Sequence, residues 1–106
     1  MSYTRLNPDE ASYTGTAYDL VARRYGKVVT VRFYAGNTSW PANSTTESGQ
    51  VLPVGFRPQE NMVGACGNAQ GVAAEMIVQT DGKVEIYNPP GSAITYVRGS
   101  VAYIVA

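Results

Sequence analysis

The chain has 106 residues, 44% of them hydrophobic and 15% charged, with eight basic residues balancing eight acidic ones. That is one domain's length, and a net charge of zero argues against a phosphate-backbone footprint and against a polybasic membrane surface. With no histidine and one cysteine, Cys66, histidine-based nucleophilic catalysis, ordinary zinc sites and an intrachain disulfide are excluded.

No apolar run approaches the ~18 residues of a membrane span, and the opening MSYTRLNPDE has no apolar signal-peptide stretch. Eight tyrosines against two phenylalanines, with eleven glycines and six prolines, read as Tyr-rich and β-branched strands cut by turns. Low charge with abundant Tyr, Asn, Ser and Thr suits a surface that meets a protein or a sugar.

In chain order, residues 1–16 are polar with no sustained period, and segment 1–19 reads as an N-terminal connection to a head domain over 20–106. Tyr18–Tyr25 (YDLVARRY) is read as a first strand, although Leu20, Val21 and Arg24 also fit helical spacing. Gly26–Lys27 makes a turn. Val28–Ala35 (VVTVRFYA) is the clearest strand: Val29, Val31, Phe33 and Ala35 share one face, and Val28, Thr30, Arg32 and Tyr34 share the other. Gly36–Gln50 (GNTSWPANSTTESGQ) is expected as a long loop whose one large residue is Trp40. Leu52 and Arg57 precede prolines and are biased to extended backbone.

Met62–Cys66 is a short strand ending at Gly67. Val72–Gln79 and Lys83–Asn88 alternate and are joined by Thr80–Asp81–Gly82, a strong hairpin signal, expected as a type I′ turn. Pro89–Pro90–Gly91 breaks the chain. Ala93–Val97 and Ser100–Val105 are expected as two final strands around an Arg98–Gly99 turn. The sum is seven to eight short strands and an all-β fold, an antiparallel β-sandwich or jelly-roll-like head domain.

Few residues invite chemistry. Gly64, Gly67 and Gly71 do not form a phosphate-binding loop, because GACGNAQG is not GxGxxG and opens no helix. Cys66 lies between small residues on a strand with no base to activate it and reads as a buried thiol. Glu75 and Glu85 fall roughly opposite each other if their strands pair, a wet like-charge pair rather than a glycosidase acid and base. Asn37–Thr38–Ser39 and Asn43–Ser44–Thr45 match the glycosylation sequon and read as chance matches in a polar loop. No catalytic residue, metal or cofactor is expected.

Trp40 either tucks against the core, stacks on a sugar ring or anchors a subunit interface. The expected ligand-binding surface is Trp40 with Asn37, Thr38, Asn43 and Ser44, and Tyr34 at the strand end. In the last strand Ala102 and Ile104 fall on one face, and Val101, Tyr103 and Val105 on the other. Both faces are apolar, so Val101, Tyr103 and Val105 are expected to be covered by another copy of the chain.

Leu52, Pro53, Gly55, Phe56, Arg57 and Pro58 (LPVGFRP), then Asp81, Gly82, Val84 and Ile86 in a hairpin, then Tyr103 and Ile104 in a closing strand, occur in an order that resembles the C-terminal head domains of receptor-binding, tail-fibre or baseplate proteins of tailed bacteriophages and prophages. Tyr25–Phe33 (YGKVVTVRF) is similar to that family's opening strand. The resemblance spans about residues 20–106, nearly a bare head. It implies a β-sandwich, a homotrimer at the tip of a virion tail, other tail proteins as partners and a host cell-surface glycan as ligand, with no nucleic acid and no membrane insertion. It supplies no receptor residues. The LPVGFRP segment has its own physical reading: two prolines fix φ, Gly55 permits a turn, and Phe56 is a buried anchor in a rigid crossover.

Overall fold

The computed structural model describes residues 2–7, 10–15, 18–36 and 39–105. Nine strands form among them: β1 (Ser2–Asn7), β2 (Glu10–Thr14), β3 (Asp19–Tyr25), β4 (Val28–Ala35), β5 (Ser44–Val51), β6 (Met62–Gly67), β7 (Ala74–Val78), β8 (Lys83–Asn88) and β9 (Val97–Ile104). All pairings are antiparallel, and hydrogen bonding runs through one sheet in the order β1-β2-β3-β4-β9-β6-β7-β8-β5. The all-β class expected from the sequence is the class the chain adopts.

Period-two alternation decides what each strand buries. On β4, Val29, Val31, Phe33 and Ala35 are buried while Val28, Thr30, Arg32 and Tyr34 are exposed. Leu20 and Ala22 on β3, Met76 and Val78 on β7, and Val84 and Ile86 on β8 complete the same inner surface. One continuous core results. The LPVGFRP crossover seals it. Leu52 and Phe56 are fully buried. Phe56 N–H donates to Pro53 O at 3.0 Å across the Gly55 turn (φ 102°), and Arg57 Nε donates to Leu52 O at 2.8 Å. Arg24 Nη1 reaches the Gly55 carbonyl at 2.6 Å, and the Tyr103 hydroxyl donates to the Phe56 carbonyl. The Leu52, Pro53, Gly55 and Phe56 carbonyls of this irregular segment thus each find a donor.

β3, β4, β7 and β8 form where alternation placed them; four segments differ from expectation. Within 1–19, the described residues include β1 and β2, which pair with each other and with β3, and Ala11 and Tyr13 enter the core. The sequence EASYT alternates, but over too few residues to stand out in a polar segment. The second half of the expected 36–50 loop is β5, paired with β8 from Ser44↔Asn88 to Val51↔Lys83. Its inward positions are Ser48 and Gln50, so no apolar alternation marks it, and the register shifts around Gly49 (φ 83°).

The two expected final strands are one. β9 runs through Arg98–Gly99 without a turn and pairs with β4 from Val28↔Ile104 to Ala35↔Val97. Gly99 is there for close approach: a Cβ at that position would lie 2.9 Å from both Ala65 O and Cys66 Sγ on β6. Finally, the β7–β8 turn is not type I′. Gly82 alone has positive φ (90°) there, Asp81 does not, and Gly82 N–H donates to Gln79 O at 2.9 Å. This is a three-residue turn with glycine in the left-handed position, and Asp81 Oδ1 accepts from Lys83 N–H at 3.0 Å.

Gly82→Val is expected to destabilise the protein by about 1–3 kcal/mol or more through backbone strain. The new Cβ would also sit 2.5 Å from Leu52 O and 2.8 Å from Arg57 Nε, displacing the crossover. Urea denaturation reads the change, and an unaltered midpoint contradicts this turn geometry.

Candidate functional site

Successive residues of β4 point to opposite faces, so Phe33 goes in and Tyr34 goes out. This alternation separates the residues expected to share a binding surface. Trp40 is only 2% exposed. Its ring centroid lies 5.9 Å from that of Tyr18 and 6.4 Å from that of Phe33. Its backbone exchanges hydrogen bonds with Ile94 at 2.8 and 3.0 Å, and Asn88 Nδ2 donates to its carbonyl at 3.1 Å. Trp40 is a core anchor, not an exposed stacking platform; its indole Nε1 is buried with no hydrogen-bond partner.

The other expected ligand residues scatter. Asn43 is exposed, with φ 52°, and its N–H donates to Pro89 O at 3.1 Å. Ser44 is half-buried and its Oγ donates to Pro41 O at 2.7 Å, so both residues shape the entry to β5. Asn37 and Thr38 lie outside the described residues. Tyr34 is the exposed aromatic of the set, at 38%.

Val101, Tyr103 and Val105 also change place. They are 8%, 5% and 3% exposed and belong to the chain's own core. Burial pushes the Tyr103 phenol well above its usual range. The reasoning that one apolar face of the last strand needs cover holds for the opposite face. Ile104 is 62% exposed; it pairs with Val28 (47%), which pairs with Tyr25 (47%). Three exposed apolar side chains thus form one row across β3, β4 and β9. Pro58 and Met62 line an open cleft beside Ile104.

Beyond that row the same outer face is polar. Arg23 pairs with Thr30 and Thr30 with Ala102; Val21 pairs with Arg32 and Arg32 with Ser100; Asp19 pairs with Tyr34 and Tyr34 with Arg98. The Arg98 guanidinium carbon sits 5.4 Å from the centroid of the Tyr34 ring, and the Tyr96 ring lies 6.2 Å from Tyr34. Val21, Arg23, Thr30 and Arg32 line a shallow depression. Alternation in the sequence had already put Thr30, Arg32 and Tyr34 on one face. Arg23 joins them through the β3–β4 hairpin, whereas Tyr96 and Arg98 join them only because β9 lies beside β4, a neighbourhood no local pattern announces.

Among the described residues the carboxylates do not assemble into acid–base machinery. Glu85 pairs with Ile77 and with Glu47, and Glu75 pairs with Tyr87, so Glu75 and Glu85 are diagonal rather than opposite. Glu85 accepts from Gln79 Nε2 at 2.6 Å, and Glu47 contacts Lys83 Nζ at 3.5 Å. Among the described residues no group of three acidic or thiol side chains is placed to hold a metal ion. Burial, then the nearby Glu75 charge, pushes the Cys66 thiol from its ordinary 9.0 up to about 11, so at neutral pH it is protonated and a poor nucleophile.

Trp40→Ala is expected to cost about 3–5 kcal/mol, the price of emptying a large aromatic site; a chemical-denaturation midpoint equal to that of the parent would contradict the core assignment. The raised Cys66 value predicts a second behaviour. The folded state keeps this proton to higher pH than the unfolded chain, so its contribution to stability is intact below pH 9.0 and is lost as pH rises toward about 11. Tyr103 acts in the same direction. Thermal melts from pH 7 to 11 should therefore show a plateau and then a fall, and a melting temperature that climbs above pH 9.0 would contradict the burial of both groups.

No known protein-family model matches this chain, and a search of curated proteins returns none that matches.

Proposed function

We propose that this chain is a non-enzymatic recognition domain of a tailed-bacteriophage or prophage tail tip, and that it binds a host-surface saccharide on the outer face of β3, β4 and β9. The observation that carries the reading is the Tyr34–Tyr96–Arg98 cluster. Tyr34 on β4 and Arg98 on the adjacent β9 face each other, with the guanidinium over the tyrosine ring, and Tyr96, just ahead of β9, sets a second ring beside Tyr34. Aromatic faces stack on the apolar faces of sugars, and Arg, Thr30 and Ser100 offer donors to sugar oxygens. The non-enzymatic reading rests on the chain's inventory: no histidine, a protonated buried thiol and dispersed carboxylates. The phage assignment rests on the resemblance of the LPVGFRP crossover, the Asp81–Gly82 hairpin and the closing strand.

A structural role in the virion, without receptor binding, is the second reading, and the exposed row Tyr25–Val28–Ile104 favours it. Such a row suits burial against another chain. Both readings include assembly into a homotrimer, with this row in place of Val101, Tyr103 and Val105 at the contact, and association with other tail proteins.

Two measurements test this. A glycan array probed with the intact protein should give binding that Tyr34→Ala weakens without changing the melting temperature. An array with no binding removes the receptor role and leaves the structural one. Light scattering after size exclusion should give about 34 kDa for a closed trimer, and the 11.3 kDa of a single chain would contradict assembly.

A further inference from the structure

We infer that the ligand of this outer face is an acidic saccharide, held by an oblique stripe of three arginines, Arg23, Arg32 and Arg98, one on each of the adjacent strands β3, β4 and β9. The inference rests on the saccharide reading above and specifies its charge.

Register places the stripe. Arg23 pairs with Thr30, two residues from Arg32, and Arg98 pairs with Tyr34, two residues from Arg32 on the other side. Each arginine is therefore the diagonal neighbour of the next, a separation of about 7–8 Å. All three are exposed. In a chain with as many acids as bases, neutralisation by neighbours would be simple, yet none of the three forms an ion pair among the described residues. Two carboxylate-bearing positions border the stripe on this face: Asp19, diagonal to Arg32 through its pairing with Tyr34, and Glu10 on β2, diagonal to Arg23 through its pairing with Tyr25; Asp19 makes no ion pair among the described residues. Arg24, one residue from Arg23, points the other way and is consumed by the Gly26 and Gly55 carbonyls at 2.6 Å each. Arg32 lies within about one Debye length of each of the other two at physiological salt, so it couples them into one cationic stripe.

The surroundings select among anions. Thr30 and Ser100 stand between the arginines, and Tyr34 with Tyr96 closes one end. Guanidinium groups take carboxylates by paired N–H donors, hydroxyls take sugar hydroxyls, and rings take sugar faces. The Arg98 guanidinium lies over the Tyr34 ring, a cation–π contact that favours its position beside the aromatic end of the stripe. A nucleic acid would need a longer basic footprint than three cations bordered by the apolar Tyr25–Val28–Ile104 row.

Isothermal titration calorimetry with the intact chain tests the inference. The titrants are oligomers of galacturonate, mannuronate and sialate, each with its carboxyl-reduced counterpart, plus oligoglutamate and a single-stranded oligonucleotide. At least one acidic oligosaccharide is expected to bind, its reduced form much less, and added sodium chloride should weaken the binding. Arg32→Gln and Arg98→Gln should each weaken it about tenfold, with Arg32→Lys restoring only part because the paired donors are lost. Unchanged melting temperatures show that the variants fold. Equal binding of acidic and reduced oligomers would overturn the acidic stripe while leaving the saccharide reading in place. Equal binding of oligoglutamate or the oligonucleotide would overturn selection of a sugar. Failure of every titrant, or binding indifferent to Arg32 and Arg98, overturns the inference, and the glycan array then decides the saccharide reading separately.

Discussion

The ladder between β4 and β9 is the contact on which the rest of the fold depends. Strands β1 to β4 follow one another as a meander, and β6, β7 and β8 make a second one with β5 at its edge. Only β9, entering between β4 and β6, joins them. The two strands pair over their full eight residues, and Val29 and Val31, opposite Tyr103 and Val101, with Phe33, opposite Gly99, fill the middle of the core. Two glycines make the second junction possible. At Gly64 a Cβ would meet Ser100 O at 2.6 Å, and at Gly99 it would meet the β6 backbone. The pairing spans most of the chain, so its loop-closure cost is large and must be repaid by this dense apolar contact.

That insertion also creates the surface on which the functional proposals rest. By placing Arg98, Ser100, Ala102 and Ile104 beside Tyr34, Arg32, Thr30 and Val28, it builds an outer face graded from apolar at one end to cationic and aromatic at the other. In the proposed assembly the two ends have different uses. The Tyr25–Val28–Ile104 row is buried against a partner copy, and the arginine stripe with Tyr34 and Tyr96 stays open to ligand. A sheet bonded on both sides holds the groups on β3, β4 and β9 in fixed relation.

How much of this was legible in the sequence follows from what local pattern can carry. β4 was readable residue by residue because its alternation is strict, and Phe56 was readable as an anchor because two prolines and a glycine leave the LPVGFRP segment few conformations. β5 was not, since its inward residues are Ser48 and Gln50. Gly99 looked like a turn because a glycine required by a neighbouring strand is indistinguishable from one required by its own backbone. Trp40 was ambiguous for a related reason: its polar neighbours describe the turn into β5, not the pocket its ring fills. In β9 both faces are apolar, so pattern alone could not say whether Val101, Tyr103 and Val105 or Ala102 and Ile104 point inward. The sheet order decides that, and the sheet order is non-local.

Native-state amide hydrogen exchange tests the central place of β9 most directly. If the β4–β9 ladder joins the two halves, the amides of Val29–Phe33 and Val101–Tyr103 open only with global unfolding and are the slowest in the chain, while β1 and β5 at the sheet's edges exchange faster through local opening. Exchange of the β9 amides at the rate of the edge strands, with β4 still protected, would contradict the account.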